Sequence, residues 1–238
     1  MSIESPTPDP SRAAQDTESA TTRPSRNTPM VMDQYQRLRE IFSVRARRQR
    51  YLDVEAALAL AQADLGVIPR EAGDKIAAAA RLELLDADRM AAEQATTGHA
   101  MVPLISELAR VVGEPEGGWV HWGATTQNIQ QTGDVLGIRS AVHLLTHQLC
   151  GVLDALADLG DRTADTLMPG RTHWQQAVPI TFGFKVAAWS DVLIRHLERL
   201  EQLQPRLFTS MTGGATGTSP PWAHSAQQSR TAWPSGWI

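Results

Sequence analysis

Apolar residues recur at alternating spacings of three and four through two long stretches of the chain. Val135, Ile138, Val142, Leu145, Leu149, Val152, Leu156 and Leu159 form the first series. Phe182, Val186, Trp189, Leu193, His196, Leu200, Leu203 and Leu207 form the second. That spacing is the seam of a helix in a near-parallel bundle. About 27 residues at 1.5 Å each predict two helices of roughly 40 Å. Two such helices cannot bury their own seams, so further helices are required, from this chain or from another.

From Met32 onward Ala, Leu, Arg, Glu and Gln dominate, and no apolar/polar alternation marks a strand. The expected fold class is all-α. Breaks at Gly66 to Pro69, Thr97 to Pro103 and Gly113 to Gly118 divide the first part into short helices. The expected organisation is a small helical N-terminal domain over residues 31–112, followed by the first long helices of a central bundle over 113–218. Residues 1–30 are about half Ser, Thr and Pro without an apolar core, so a disordered tail is expected there.

Composition removes several classes of function. The formal charge is −4 with a pI near 6.0, and acids and bases are interspersed. Neither a nucleic-acid face nor a polybasic membrane patch results. No run of eighteen apolar residues offers a membrane span, and the N-terminus lacks the apolar stretch of a secretory signal. The single cysteine, Cys150, excludes an internal disulfide framework and fits a reducing cytoplasm; its place on an apolar helical face predicts a buried, inert thiol. There is no zinc spacing and no glycine-rich phosphate loop, so neither metal nor cofactor is expected.

Three segments interrupt the helical pattern with residue types that belong to sites. They are the stretch from Thr96 to Leu104, VHWGATTQN at 120–128 and GRTHWQQAVPITFG at 170–183. Each joins a histidine to hydroxyls or amides at a helix junction. Free N–H groups at a helix start, together with Thr hydroxyls, form a cradle for a carboxylate. The pattern therefore suits a small anionic molecule held by uncharged donors, with imidazoles for proton transfer. On pattern alone, His173 stands open between a site residue and a satisfied loop histidine. His196, on an apolar seam, reads as a packed core or subunit-contact residue. His143 and His147 read as helix-surface residues. A plain N-cap accounts for one of Thr125 and Thr126 better than for the pair.

Taken together and in this order, the three segments resemble the fumarase/aspartase superfamily, in the branch of adenylosuccinate lyase and 3-carboxy-cis,cis-muconate cycloisomerase. VHWGATTQNIQQT is similar to the first family signature, H-x-G-x-T-S-x-D-x-x-D-T. GRTHWQQAVPITFG is similar to the second, G-R-T-H-x-Q-x-A-x-P-T-T-F-G. The resemblance runs from about Met32 to Thr218. It implies an anti β-elimination that releases fumarate or a related unsaturated acid from an N-succinyl-type substrate through an aci-carboxylate intermediate. Donors around that carboxylate would favour the intermediate over the substrate. By position it implies His173 as general acid and His99 as a substrate-orienting or relay partner. Thr125, Thr126 and Gln127 would bind the carboxylate, with Thr172 and Gln175 also on the substrate and His121 nearby. It further implies a homotetramer whose sites are each assembled from three subunits.

Departures from the signatures matter too. His173 is lyase-like, whereas Gln175, Gln176 and Ala177 match the cycloisomerase branch, which often carries Trp in place of the histidine. A neutral Trp cannot supply the proton that His173 can, which favours a lyase over a cycloisomerase. Asn128 and Gln131 replace two signature carboxylates, making a purine-nucleotide substrate less certain. The third signature, G-S-S-x-M-P-x-K-x-N, whose serine would be the base, is absent from these residues.

The stretch TSPPWAHSAQQSRTAWPSGWI abandons helical periodicity. Because Trp has one codon, reading from its third base turns Trp222-Ala223 into Gly, Trp233-Pro234 into Ala and Trp237-Ile238 into Asp. The shifted frame allows a peptide that continues GGATGT as family members do. The expectation is a frameshift near Thr218, an aberrant tail over 219–238, and a chain inactive for want of the serine loop. The contrasting expectation is a non-catalytic helical protein that docks its open seams on a full-length paralogue.

Overall fold

The computed structural model describes residues 28–211 and 213–217, with side chains from residue 33 onward. The described residues fall into two units that divide between Arg37 and Leu38. Most of the expected tail lies outside the described residues, as does the expected aberrant tail. Helix α1 (Thr28–Ile41) begins before the helical start expected at residue 31.

Seven α-helices among the described residues confirm the helical class. Helix α2 (Val44–Asp64) is capped by Ser43, whose hydroxyl accepts the Ala46 N–H at 3.2 Å. Helices α3 (Arg70–Ala79), α4 (Ala87–Thr97) and α5 (Val102–Val112) follow; the breaks before α3, between α4 and α5 and after α5 fall where Gly and Pro predicted, whereas the break between α3 and α4, with a 3-10 turn at Leu82–Leu84, holds neither residue and was not expected. Asp86 caps α4 by accepting from Asp88 N–H and Arg89 N–H, and Gly98 ends it in the left-handed region at φ 65°.

The core gathers on α2. Leu52, Ile76, Met101, Leu104 and Leu108 are fully buried there, each contributing about 1.5–3 kcal/mol. Small residues bring the helices close: a Cβ on Gly73 of α3 would lie 2.6 Å from Ala63 Cβ. The core continues across residue 113, since Trp119, Val120, Ile129 and Leu136 pack on the same cluster.

Helix α6 (Thr126–Arg162) runs 37 residues, ten longer than the seam alone predicted. Its first half carries Ile129, Thr132, Gly133, Gly137, Ala141 and Val142 into buried positions. Two glycines allow α2 to approach: a Cβ on Gly133 would meet the Tyr51 ring at 2.6 Å, and one on Gly137 the Arg50 guanidinium at 2.8 Å. Arg50 Nε donates to Gly133 O at 3.0 Å and Nη1 to Ile41 O at 2.7 Å. Helix α7 (Phe182–Leu207), capped by the Thr181 hydroxyl, returns antiparallel along α6: Gly183 N–H bonds Thr163 O near one end, and Met211 N–H bonds the Thr132 hydroxyl at the other.

The expectation of no strand fails between these helices. Residues Leu167–Thr172 (β1) and Gln175–Thr181 (β2) form an antiparallel hairpin pairing Thr172 with Gln175 and Pro169 with Pro179. Gly170 is buried and Met168 and Ile180 are half-buried near the root, but residues 171–179 are exposed on both faces, so apolar alternation was not selected there and the sequence shows no period of two. A bulge between Pro169 and Arg171 accommodates Gly170, where a Cβ would meet Val178 O at 2.6 Å.

Two side-chain expectations are also corrected. Cys150 is exposed, because it lies on the side of α6 turned away from α7 and no other described element packs there. His196 is not a core residue of the chain: it is exposed, with Arg199 Nη2 lying 2.7 Å from its Nδ1, and of the two expectations the core one is overturned. His143 and His147 are on the helix surface, as expected.

Candidate functional site

The predicted site residues fall at two places. The first is the start of α6. Thr125 occupies the N-cap with extended backbone (φ −115°, ψ 150°), yet its side chain makes no capping bond. Thr126 and Gln127 are the first helical residues. Asn128 N–H bonds Thr125 O at 2.9 Å, so the Thr126 and Gln127 N–H groups are the ones left at the positive end of the helix without a capping side chain, with two hydroxyls beside them.

The loop before this helix start is gripped from α2. His121 has φ 61°, left-handed backbone uncommon for a non-glycine residue, and its Nδ1 lies 2.6 Å from Glu55 Oε1. Glu55 is 2% exposed. One residue further on, Trp122 O accepts a 2.7 Å hydrogen bond from Gln62 Nε2, and Gln62 is equally buried. Trp122 also meets Trp119 edge to face at 4.7 Å. On the far side of the helix start, Asn128 Oδ1 accepts from Gly214 N–H at 3.1 Å and Gly213 N–H at 3.4 Å. The segment after α7 is thereby pinned to the first turn of α6.

His99 belongs to the α4–α5 loop. Its Nδ1 accepts the Met101 N–H at 3.1 Å and its own N–H donates to Thr97 Oγ1 at 3.4 Å. In a neutral ring that bond puts the proton on Nε2. Met101 is part of the core cluster, so the loop is anchored although His99 is exposed.

The second place is the hairpin tip. His173 and Trp174 form its two-residue turn, with Trp174 at φ 64° and 96% exposed. Gln175 Nε2 donates to Thr172 Oγ1 at 3.4 Å. Arg171, Thr172, His173, Trp174, Gln175 and Gln176 line one open depression. The hairpin is rooted at the far end of α6, where Phe182 N–H bonds Thr166 O at 2.8 Å. Thirty-seven helical residues span about 55 Å, and the hairpin arms reach only about 20 Å. Within one chain His173 therefore stands about 30 Å or more from Thr125. The three sequence segments do not converge on a single point of one chain.

Residues 30–233 match the protein family described as Lyase. The chain belongs to this family. Within the lyase family, the N-acetyl-S-(2-succino)cysteine lyase of Enterococcus italicus is 42% identical over 76% of this chain and 40% of its own length. The 3-carboxy-cis,cis-muconate cycloisomerase of Pseudomonas aeruginosa is 45% identical over the same shares. Among solved structures, the 3-carboxy-cis,cis-muconate lactonizing enzyme of Pseudomonas putida is similar with a TM-score of 0.76 at 38% identity, over 85% of this chain and 46% of that one. An adenylosuccinate lyase from Methanothermobacter thermautotrophicus is 38% identical. The chain spans about 40% of the length of these curated relatives. The matches bear out the fumarase/aspartase resemblance and its helical fold. Among the described residues no helix is long and apolar enough to cross a membrane.

Sequence reasoning missed Glu55, Gln62 and Thr132. The first two lie seven residues apart in VEAALALAQAD, on one face of a helix otherwise rich in Ala and Leu, and that spacing was the available signal. Asn128 was noticed only as a lost carboxylate, whereas its amide oxygen holds two glycine N–H groups.

Proposed function

We propose that this lyase chain supplies two parts of an anti β-elimination site for a small succinyl-type dicarboxylate, releasing fumarate or a similar unsaturated acid. The observation that carries the reading is the start of α6 without a side-chain cap, where Thr125, Thr126 and Gln127 stand at the positive end of the helix. A carboxylate seated there is stabilised further as its neighbouring carbon loses a proton and charge moves onto the carboxylate oxygens, the moment at which fixed donors lower a barrier. His173 then acts as the general acid that protonates the departing heteroatom, with His99 as its relay partner and Thr172 and Gln175 on the substrate. His121 lies beside the carboxylate end.

The separation between His173 and Thr125 supports a site completed between copies, in the three-subunit manner the resemblance implies, within a homotetramer. The succinyl group is the chemistry shared by the succinocysteine and adenylosuccinate names among the relatives. Asn128 and Gln131 in place of signature carboxylates turn the reading away from a purine nucleotide. We also infer that the 238 residues alone do not turn over substrate, because they contain no serine-loop signature to act as base. The protein is read as cytoplasmic, in keeping with its single thiol.

A chimera tests this. Residues 28–217 joined to the complementary remainder of the Enterococcus italicus lyase should release fumarate from S- or N-succinyl compounds, followed by its ultraviolet absorbance. His173→Ala should lower that rate by about 100-fold or more. Unchanged turnover would remove His173 from the reaction. Conversion of a carboxymuconate without fumarate release would favour the cycloisomerase, the second reading, which the 45% identity to that enzyme supports.

A further inference from the structure

A buried carboxylate in the core of a small helical unit is costly unless it is paired, and an apolar residue of similar volume would fill the same space without that penalty. Glu55 sits among Leu52, Val54, Leu58 and Ala59 at 2% exposure, and its side-chain partner among the described residues is the His121 ring. The loop adopts left-handed backbone at His121 in the turn that brings this ring to Glu55. Seven residues along the same face of α2, Gln62 holds the next carbonyl of the loop. Two buried polar groups of one helix thus fix the four residues that lead into Thr125.

We propose that Glu55 is a positioning residue that holds a proton on His121 Nδ1 and so leaves Nε2 to meet the ligand at the start of α6. A carboxylate only accepts hydrogen bonds, so at 2.6 Å from Glu55 Oε1 the Nδ1 atom is the donor. Its partner thereby determines which ring nitrogen exchanges protons or hydrogen bonds with a ligand. His99 is set the opposite way, with Nδ1 accepting from Met101 N–H and the proton on Nε2. The two loop histidines consequently differ in tautomer, and each is fixed by a neighbour within the chain. The role toward a ligand rests on the reading under Proposed function; the tautomer does not.

Magnetic resonance of the full chain with isotope-labelled histidine tests the assignment, the His121 signals being identified by their loss in His121→Gln. In the unsubstituted chain His121 should show a protonated Nδ1 protected from solvent exchange. Glu55→Leu should abolish that signal, and Glu55→Gln, which keeps an acceptor oxygen, should retain it. An unprotonated Nδ1 in the unsubstituted chain would overturn the proposal, as would a folded Glu55→Leu chain that keeps the signal. If Glu55→Leu does not fold, the unsubstituted spectrum and Glu55→Gln decide. A protonated Nδ1 together with a chimera that eliminates nothing would leave the pair standing and sink the functional reading instead.

Discussion

The two ends of α6 carry chemically similar residues in opposite surroundings. At its start, Thr125, Thr126, Gln127 and Asn128 are fastened on both sides. Glu55 and Gln62 hold the loop before them, and Asn128 holds the glycines after α7. Beyond its other end, His173 and Gln175 ride on a two-stranded hairpin attached to the rest of the chain at its root, with residues 171–179 exposed. An isolated hairpin is at best marginally stable in water. The start of α6 is therefore preorganised by its own chain, while the hairpin tip that carries His173 is held only at its root. Exposure of Leu145 and Val152 on the second half of α6, and of Trp189, Val192 and Ile194 on α7, belongs to the same contrast.

Substitutions on α6 sharpen this difference. The largest effect is expected for Gly133→Val, whose side chain would enter the Tyr51 ring; a loss of about 3 kcal/mol in denaturant unfolding should follow. Little loss would mean that α2 and α6 are less closely joined than the geometry requires.

Next is Glu107 on α5, which accepts the Asp86 N–H and so ties the start of α4 to the core. Arg110 first, then the Asp86 N–H and Arg89, hold its carboxyl below the usual carboxylate range against the opposing effect of burial. A depressed folded-state value stabilises the fold above the unfolded value of about 4.3 and loses that contribution as pH falls through the folded value. Glu107→Gln should cost about 1–3 kcal/mol at neutral pH, and the gap from the parent chain should narrow under acid. A gap that widened under acid would reverse the sign.

Asn128→Ala should cost about 1 kcal/mol and raise amide exchange at Gly213 and Gly214, with the hairpin unaffected. The smallest change, Gly151→Ala in the open half of α6, should stabilise by about 0.5–1 kcal/mol, since a Cβ there meets nothing within 4 Å. Destabilisation would indicate that a second chain covers that face.

The site was legible where chemistry is local. Thr125 to Gln127 at a helix start, and a histidine beside hydroxyls at each junction, follow from residue type and neighbours. The hairpin was not legible, because a strand pair exposed on both faces over residues 171–179 leaves no apolar alternation to read. Cys150, and His196 as a core residue, were misread because an apolar stripe indicates what a helix could bury, whereas α6 and α7 cover each other along one face and leave these two positions exposed.

The order of residues determined by itself the helical class, the breaks at Gly66, Gly98 and Gly113, the two seams and the lyase signatures. Those depend on backbone preference and on spacing along one element. Tertiary structure alone decided that Glu55 faces His121 across 66 residues of sequence and that Asn128 reaches Gly214 across 86. It also decided that His173 and Thr125 lie apart. Such facts depend on how rigid helices of fixed rise are laid against one another, and no local pattern encodes that distance.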